Sequence, residues 1–540
     1  MRRSSLAPRR TSFSPFQPER CRADTLIVMG LRSGVCAVRF LAWLVVLALV
    51  GACASLPHDV ERNPSRALGE FDETALGRRV QAVQPDPKLS GFRLLPSGDT
   101  AYQLRLTLID EAVRTLDLQY YTVERDASTR ALFVHLRRAA ERGVRIRLLL
   151  DDLNTVTRDA NLARFAKHPR IEVRLFNPFP AGRGAAASRF LFAAADLPRL
   201  TRRMHNKLFV ADNALAITGG RNLGAAYFQS TGDINFADLD VLVGGAAVRE
   251  LSRTFDRYWN SKLTYPIEAL ASGSPPATPA ESSPVGADPA AGGPIRARQP
   301  LNLHLVWASS RVVVDRPSKV AHPGPGRNPT VTDDVLTLIQ NATQSVTLVS
   351  PYFVPSPELT GVLRELRSRS VTVRVLTNSL ATTDMPAAQV AYAGHRLELL
   401  SMGVELYELR PTSGGGPGFL GSGSGSGSSK STLHAKAALV DDRWLFVGSM
   451  NLDSRSALEN TEVGVIIDSR ELGAHLARIM KQGTDPSVSY ALRLAPDGRT
   501  IQWVTHDSGR EAVHTHDPEA GFWRSLLATL LYGAVPEALL

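Results

Sequence analysis

Two short clusters of histidine, lysine, aspartate and asparagine recur along the 540-residue chain with identical spacing. Each reads His-x-Lys, four residues, Asp, six residues and a Gly-small-x-Asn tetrapeptide. The members are His205, Lys207, Asp212, Gly219, Gly220 and Asn222, then His434, Lys436, Asp441, Gly448, Ser449 and Asn451. Histidine can be a nucleophile or a general acid and base, and lysine and asparagine can hold anionic oxygens. The two clusters therefore predict phosphodiester chemistry.

The doubled cluster suits a two-step reaction. One histidine would attack phosphorus and form a phospho-histidine, and the other would protonate the leaving alkoxide and then deprotonate the acceptor. The lysines would supply positive charge, so we predict neither a metal nor a cofactor. A single His-x-Lys pair usually lies on a surface strand and indicates no function. Two copies with the same spacing, in two similar halves, are a strong indication of an active site. Only eight of the 62 basic residues are lysine, yet both cluster positions carry it.

The segments after each lysine predict the strands that position these side chains. On a strand, residues i and i+2 share a face, so each histidine and its lysine should point into one pocket. Asp212-Asn213 and Asp441-Asp442 predict turns into a second strand. That strand ends in Gly-Gly or Gly-Ser, where the main chain can approach a ligand closely, so Gly220 and Ser449 are predicted to bind the substrate. Asn222 and Asn451 would then also lie at the substrate, near the histidine edge.

A strand-helix-strand unit precedes each cluster. The predicted elements are 115–121, 128–142 and 144–150 in the first half, and 345–350, 357–368 and 371–377 in the second. Such repeats indicate an α/β fold with parallel sheets covered by helices. We therefore expect two similar domains.

Composition marks the boundaries between segments. A Pro/Ala/Gly-rich linker separates the halves, and a second flexible glycine-serine stretch spans 413–429. The predicted segments are a leader at 1–53, an extension at 54–89, domains at 90–271 and 300–490 around the linker at 272–299, and a tail at 491–540. The apolar end of the tail predicts either an interfacial helix or a helix that caps the domain.

The leader resembles a bacterial export signal. Arginines precede the apolar run Phe40–Val50, and small residues lead to Cys53, as in a lipoprotein signal. The alternative is a plain signal peptide or an uncleaved anchor with Cys53 incidental. We predict lipidation at Cys53 and a membrane-anchored protein of the bacterial envelope that faces the periplasm. The leader holds +6 of the net charge of +10, so the body gives little support for a nucleic-acid partner.

The duplicated motif resembles that of the phospholipase D superfamily. Further similarity to a bacterial cardiolipin synthase subgroup lies in LQYY (118–121), RGVRIRLLLDD (142–152), RMHNK (203–207), GGRN (219–222), FADLDVL (236–242) and SPYFVP (350–355). The resemblance implies two domains about a pseudo-two-fold axis with one shared active site. It assigns attack to His205 and acid/base work to His434. It implies that Asp240 and Glu462 orient the histidines and that Asp212 and Asp441 of the motif have a structural role.

By the same resemblance we expect a phosphatidyltransferase of the cardiolipin synthase type. Its partners would be phosphatidylglycerol, phosphatidylethanolamine as a candidate donor, and the bacterial membrane. The sequence leaves open whether an accessory protein is needed. The alternatives are a phospholipase D hydrolase that uses water, a secreted nuclease, and a tethered binding protein with a dead site.

Overall fold

The computed structural model describes ten stretches of the chain. They are residues 56–57, 59–156, 158–183, 188–189, 196–228, 234–271, 301–321, 329–411, 430–507 and 510–531. The predicted leader with Cys53, the linker at 272–299, the glycine-serine stretch at 413–429 and the last nine residues of the tail lie outside these ranges. From Leu56 onwards the chain forms one unit.

Twenty strands are described. They are β1 (Ser90–Leu95), β2 (Thr115–Tyr120), β3 (Arg145–Asp151), β4 (Ile171–Phe176), β5 (Leu208–Ala211), β6 (Leu215–Gly219), β7 (Ile234–Ala237), β8 (Asp240–Gly245), β9 (Thr264–Pro266), β10 (Val306–Val314), β11 (Ser345–Val349), β12 (Thr372–Asn378), β13 (Glu405–Leu409), β14 (Lys430–Leu433), β15 (Ala437–Val440), β16 (Trp444–Gly448), β17 (Val463–Asp468), β18 (Ser489–Leu494), β19 (Ile501–Asp507) and β20 (Arg510–His514).

The described α-helices connect and flank these strands. They are α1 (Ala75–Val83), α2 (Gly98–Glu111), α3 (Ala127–Glu141), α4 (Asp159–Phe165), α5 (Leu197–Leu200), α6 (Ala246–Trp259), α7 (Ile267–Ala271), α8 (Ser318–Ala321), α9 (Val331–Gln340), α10 (Pro357–Ser368), α11 (Pro386–Ser401), α12 (Ser454–Leu458), α13 (Arg470–Gly483) and α14 (Phe522–Leu531). Local sequence sets several helix starts: Asp126 and Ser356 accept N-cap bonds from Thr129 and Leu359, and Pro357 fills the first position of α10.

The two halves repeat one strand order. The first sheet runs β1-β8-β6-β5-β2-β3-β4-β9, and the second runs β10-β17-β16-β15-β11-β12-β13-β18 before β19 and β20 extend it. The corresponding strands β1 and β10 also pair with each other. The predicted duplication is therefore confirmed in the topology.

Both sheets are mixed, whereas the sequence predicted parallel sheets. Only β2-β3-β4 and β11-β12-β13 run parallel, because helices connect them. The strands around each cluster are antiparallel because a tight turn joins β5 to β6 and β15 to β16. Asp212, Asn213, Asp441 and Asp442 all have φ between 50° and 52°. Positive φ at both central residues is typical of the type I′ hairpin turn, and the predicted turns are confirmed.

The three largest apolar cores of the described residues hold the two halves together. One lies within each half, and the third contains residues of both halves, including Phe255 and Trp259 of α6 and Leu476 and Ile479 of α13. The helices α6 and α13 occupy corresponding places after β8 and β17, and each buries one face at a spacing of three and four residues. The halves therefore share a continuous interior, which fixes their relative position.

The flanking segments continue these two halves. Leu76 and Val80 of α1 belong to the apolar core of the first half. Before α1, Arg62 donates to the carbonyl of Thr264 at 2.9 Å. Strand β18 pairs with β19 across a turn that contains Gly498, so the second sheet runs past residue 490. Among the helices of the described ranges, none is both long and apolar enough to cross a bilayer.

Candidate active site

Main-chain bonds tie each histidine to the opposite half. The amide of His205 donates to the carbonyl of Thr461 at 2.9 Å, and the amide of Thr461 donates to the carbonyl of Arg203 at 2.9 Å. In the other direction β14 pairs with β7, and the amide of His434 donates to the carbonyl of Ala237 at 2.8 Å. Such reciprocal contacts are those of a two-fold arrangement. They place His205 beside Glu462, the residue after Thr461, and His434 beside Asp238, the residue after Ala237.

Those residues are carboxylates. The Nδ1 of His205 lies 3.0 Å from both oxygens of Glu462, and the Nδ1 of His434 lies 2.6 Å from Oδ2 of Asp238. Each imidazole is therefore oriented by the acid of the opposite half. The resemblance implied the orienting role of Glu462, but nothing in the sequence indicated that each carboxylate serves the histidine of the opposite half.

The expectation that Asp240 orients a histidine is wrong. Its Oδ2 forms a buried ion pair at 2.9 Å with Arg105, and its Oδ1 accepts from the amide of Arg221 at 3.2 Å. Asp240 begins strand β8, whereas Asp238 lies just before the strand, where the chain passes His434. The sequence did not indicate which of these two neighbouring carboxylates reaches the imidazole.

The glycine-small pairs after each cluster support the carboxylates. Ser449 donates its hydroxyl to Glu462 at 2.5 Å, and Ser456 donates to the same carboxylate at 2.9 Å. At the corresponding position, a Cβ on Gly220 would lie 2.0 Å from Oδ1 of Asp238. Glycine is therefore required where Asp238 approaches, while serine fills the equivalent place beside Glu462. The sequence instead predicts that Gly220 and Ser449 bind the substrate.

Burial lowers the pKa of both histidines. Desolvation, partly offset by Glu462, brings the pKa of His205 to about 4. Burial and the charge of Lys436 lower the pKa of His434. Although burial alone would raise it, His434 and Lys436 bring the pKa of Asp238 down to about 2. The acids are thus ionised and can only accept, so each neutral histidine donates from Nδ1 and keeps the lone pair of Nε2 free.

Both lysines lie inside the protein. The Nζ of Lys207 donates to the carbonyl of His205 at 2.7 Å, and the Nζ of Lys436 donates to that of His434 at 2.5 Å. Burial lowers the pKa of Lys207 well below its usual value and that of Lys436 to about 8. Asp238 and Glu462 oppose these shifts. A bound phosphate anion would favour the charged form of both lysines, and the low dielectric of the pocket makes this attraction stronger than in water.

Aromatic rings enclose the imidazoles. Tyr121 meets His205 edge-on at 5.1 Å between ring centroids, and the Nζ of Lys207 lies 5.4 Å from the Tyr121 centroid. Tyr227 and Phe236 lie 5.2 and 5.1 Å from His434. These three rings were not predicted as site residues. The LQYY and FADLDVL strings contain two of them, but nothing in the sequence links them to the histidines.

The motif asparagines have unequal partners. Asn222 accepts from the amide of Thr122 at 3.1 Å and donates to the hydroxyl of Tyr227 at 3.0 Å. Asn451 is buried, and its Oδ1 finds no hydrogen-bond donor in the part of the chain that the structure covers. A 180° rotation of the amide would turn an N–H donor to that position. Asn451 therefore has unused capacity for a ligand oxygen.

The motif aspartates bond to the main chain and contact neither histidine. Asp212 accepts from the amides of residues 113, 114 and 115, and Asp441 from those of residues 343, 344 and 345. Each stands at the far end of its strand, roughly 16 Å along the chain from the lysine. They fix β2 and β11 against β5 and β15, which is the structural role that the resemblance implied.

Within the described ranges, no group of three or more His, Cys, Asp or Glu side chains could hold a metal ion. The arrangement provides two neutral imidazoles, two buried ammonium groups and an unsatisfied asparagine. Together these can bind a phosphodiester, and one neutral imidazole can attack it. The other can protonate the leaving group once the bound anion raises its pKa and it takes up a proton. The doubled domain and its shared site define a phospholipase D-like protein.

Comparison with known proteins narrows this class. The family described as "Cardiolipin synthase, PLD-like domain" matches residues 106–259 and again 335–483. Cardiolipin synthase C of Escherichia coli (strain K12) is 36% identical over 473 residues, which cover 84% of this chain and 98% of that protein. An uncharacterised protein of Helicobacter pylori (strain ATCC 700392 / 26695) is 31% identical over 504 residues, covering 90% and 97%. The chain belongs to the cardiolipin synthase family of phospholipase D-like enzymes.

A solved structure supports the fold. Phosphatidylserine synthase of Haemophilus influenzae Rd KW20 superposes with a TM-score of 0.50 at 13% identity, covering 77% of this chain and 91% of that one. At this identity the likeness concerns the architecture alone. The predicted α/β fold of two phospholipase D-type domains is therefore confirmed.

Proposed function

We propose that this protein transfers a phosphatidyl group between phospholipids to form cardiolipin. The observation that carries the proposal is the crossed pair of histidine-carboxylate dyads beside two buried lysines. The similarity to cardiolipin synthase C adds the substrate class, with phosphatidylglycerol as acceptor and phosphatidylglycerol or phosphatidylethanolamine as donor.

His205 acts as the nucleophile in this proposal. Its pKa of about 4 keeps Nε2 unprotonated at neutral pH. The nitrogen attacks the donor phosphorus, a P–N bond forms, and the bond to the departing head-group oxygen breaks. Lys207 and Lys436, with the rotated amide of Asn451, hold the non-bridging oxygens as charge builds on them.

His434 moves the proton. The phosphate anion adds negative charge to the pocket and so raises the pKa of His434, which lets it carry the proton that the leaving alkoxide takes. Asp238 stabilises the imidazolium. The neutral His434 then removes the proton from the acceptor hydroxyl, whose oxygen attacks the phosphatidyl-histidine and releases His205.

The enclosure of the site favours an alcohol over water as acceptor. The histidine side chains are only 11% and 7% exposed, and the rings of Tyr121, Tyr227 and Phe236 surround them. A lipid hydroxyl delivered by its own acyl chains gains effective concentration in such a pocket, whereas bulk water has little access.

We also propose that the protein works at the bacterial envelope, anchored through a lipid on Cys53 and facing the periplasm. The basic, apolar and small-residue segments that end at Cys53 support this. Mass spectrometry of the membrane-extracted protein tests it, since a diacylglyceryl-modified Cys53 at the N-terminus is expected and an unmodified, uncleaved leader contradicts it.

The activity is tested in vesicles of phosphatidylglycerol with and without phosphatidylethanolamine. Wild type should form cardiolipin, and His205→Ala and His434→Ala should lose several orders of magnitude in rate. Dependence on phosphatidylethanolamine identifies the donor. Phosphatidic acid without cardiolipin would indicate a hydrolase, and cleavage of nucleic acid alone would indicate a nuclease.

A trapping experiment separates the two histidines. A ³²P-labelled phosphatidyl ester with a good leaving group needs no proton from His434 in the first step, whereas release of the intermediate still needs His434 as base. Quenching His434→Ala in alkaline detergent, where the acid-labile P–N bond survives, should therefore leave label on His205. Label found only in His205→Ala would reverse the assignment.

A further inference from the structure

The helix α14 carries an apolar face that points away from the protein. Phe522, Trp523, Leu526 and Leu530 are 72%, 77%, 39% and 65% exposed, and we call these four residues the outward stripe. At 3.6 residues per turn they lie within an arc of about 100°. A surface helix usually turns such a stripe toward the core. Here the opposite orientation exposes two large aromatic rings.

Polar contacts fix this orientation. Arg524, on the side of α14 opposite the stripe, donates to the carbonyls of Leu380, Ala381 and Thr383 at 3.1, 3.1 and 2.9 Å. Immediately before the helix, Asp517 pairs with Arg396 at 2.8 Å. The helix also packs against α11. The stripe therefore faces outward because its other side is bonded to the protein.

The contact point of α14 adjoins the active site. The loop that joins β12 to α11 holds the three carbonyls, and its Thr382 carbonyl also accepts from the hydroxyl of Thr432 at 2.9 Å. Thr432 lies two residues before His434. In the same loop, Asp384 accepts from the hydroxyl of Tyr352 at 2.8 Å and opposes the lowering of the pKa of Lys436 by burial.

Further exposed apolar side chains lie on segments that carry the site. Met385 follows Asp384 and is 39% exposed, and Ile234 begins β7 and is 46% exposed. Leu458 ends α12, four residues before Glu462, and is 58% exposed. Exposed apolar side chains therefore lie both on α14 and on segments that hold the catalytic residues.

We propose that the outward stripe inserts into the surface of a phospholipid bilayer and holds the pocket at the level of the head groups. A bilayer is the expected partner because α14 is anchored beside the active-site pocket, and the substrate of that pocket is a membrane lipid. This step rests on the proposed function. Tryptophan and phenylalanine suit the interfacial zone of a membrane. Insertion buries the stripe without moving α14.

Fluorescence of Trp523 tests insertion directly. The full chain contains six tryptophans, so the emission difference between wild type and Trp523→Phe isolates one of them. With vesicles of phosphatidylglycerol and phosphatidylethanolamine brominated along the acyl chains, this difference should shift to the blue and be quenched. An unquenched difference signal overturns the proposal. A blue-shifted signal without lipid, together with a doubled mass in sedimentation, overturns it in favour of a second copy of the chain.

Turnover on two forms of substrate gives an independent readout. Phe522→Ser/Trp523→Ser should lose about tenfold in rate on vesicles and keep its rate on monomeric short-chain phosphatidylglycerol. The matched control Val83→Ser/Val513→Ser changes side chains that are 46% and 42% exposed but lie on α1 and β20, and it should behave as wild type. Equal losses on both substrates overturn the proposal. If wild type turns over no lipid, the proposed function fails. The quenching of Trp523 fluorescence by brominated lipid still decides whether the outward stripe inserts into the bilayer.

Discussion

Replacing Asp238 by asparagine removes the negative charge that holds His434. The Oδ2 of Asp238 lies 2.6 Å from Nδ1, the geometry of a charge-assisted bond, in a pocket where both side chains are buried. Such a bond contributes about 1.5–3 kcal/mol. If it acts on the imidazolium in the transition state, kcat should fall roughly 10- to 150-fold.

The same change lowers stability at neutral pH. The pKa of Asp238 is about 2 in the folded protein and about 3.9 when unfolded, so its charge contributes about 2–3 kcal/mol. Because the folded pKa is depressed, this contribution is present above pH 4 and is lost as the pH falls toward 2. Stability must therefore be measured with activity, and kcat expressed per folded molecule.

Asp240→Asn is the matched control. It breaks the buried ion pair with Arg105, which should cost about 3–5 kcal/mol of folding free energy. Its carboxylate contacts no histidine, so kcat per folded molecule should stay within about threefold of wild type. The assay is lipid turnover across pH 5–9, with urea unfolding of each variant. Equal losses of kcat in both variants, or a larger loss in Asp240→Asn, would refute the crossed assignment.

Three further predictions concern the lysines, the motif aspartates and the pKa of His205. Lys207→Arg should lose at least about tenfold in turnover although the charge is kept, because the buried pocket fits a compact ammonium; undiminished turnover contradicts this. Asp212→Ala should lower the free energy of urea unfolding more than Asp441→Ala, because each carboxylate accepts three main-chain bonds but only Asp212 is fully buried; the reverse order excludes burial as the cause. Since the pKa of His205 falls to about 4 on folding, wild type should lose about 3 kcal/mol between pH 6.5 and 4. His205→Gln should lose less over that window, and parallel curves would argue against a buried neutral histidine.

Local patterns in the sequence predicted the local structure. The apolar spacing, with period two in strands and 3.6 in helices, predicted the β2-α3-β3 and β11-α10-β12 units. Each predicted end lies within one residue of the observed end. The Asp-Asn and Asp-Asp pairs predicted the turns with positive φ. The spacing of the two clusters predicted which histidines and lysines share a site. Each of these inferences needs only neighbours along the chain.

The contacts that complete the site have no local signal. His205 and Glu462 are 257 residues apart, and His434 and Asp238 are 196 residues apart. Their pairing depends on how β7 meets β14 and how Thr461 meets Arg203, which only the docking of the two halves determines. The choice between Asp238 and Asp240 also depends on where β8 begins, and strand boundaries are poorly predicted from sequence.

The crossed dyads couple chemistry to the completion of folding. During synthesis the first half can fold before the second has emerged, and it then contains His205 without Glu462. An imidazole without its carboxylate has no fixed tautomer or orientation, and Lys207 lacks the opposite lysine. A half-made chain would therefore leave surrounding phospholipids intact, and activity would appear only when the two halves close on each other. Such an enzyme needs no separate inhibitor while its chain is unfinished.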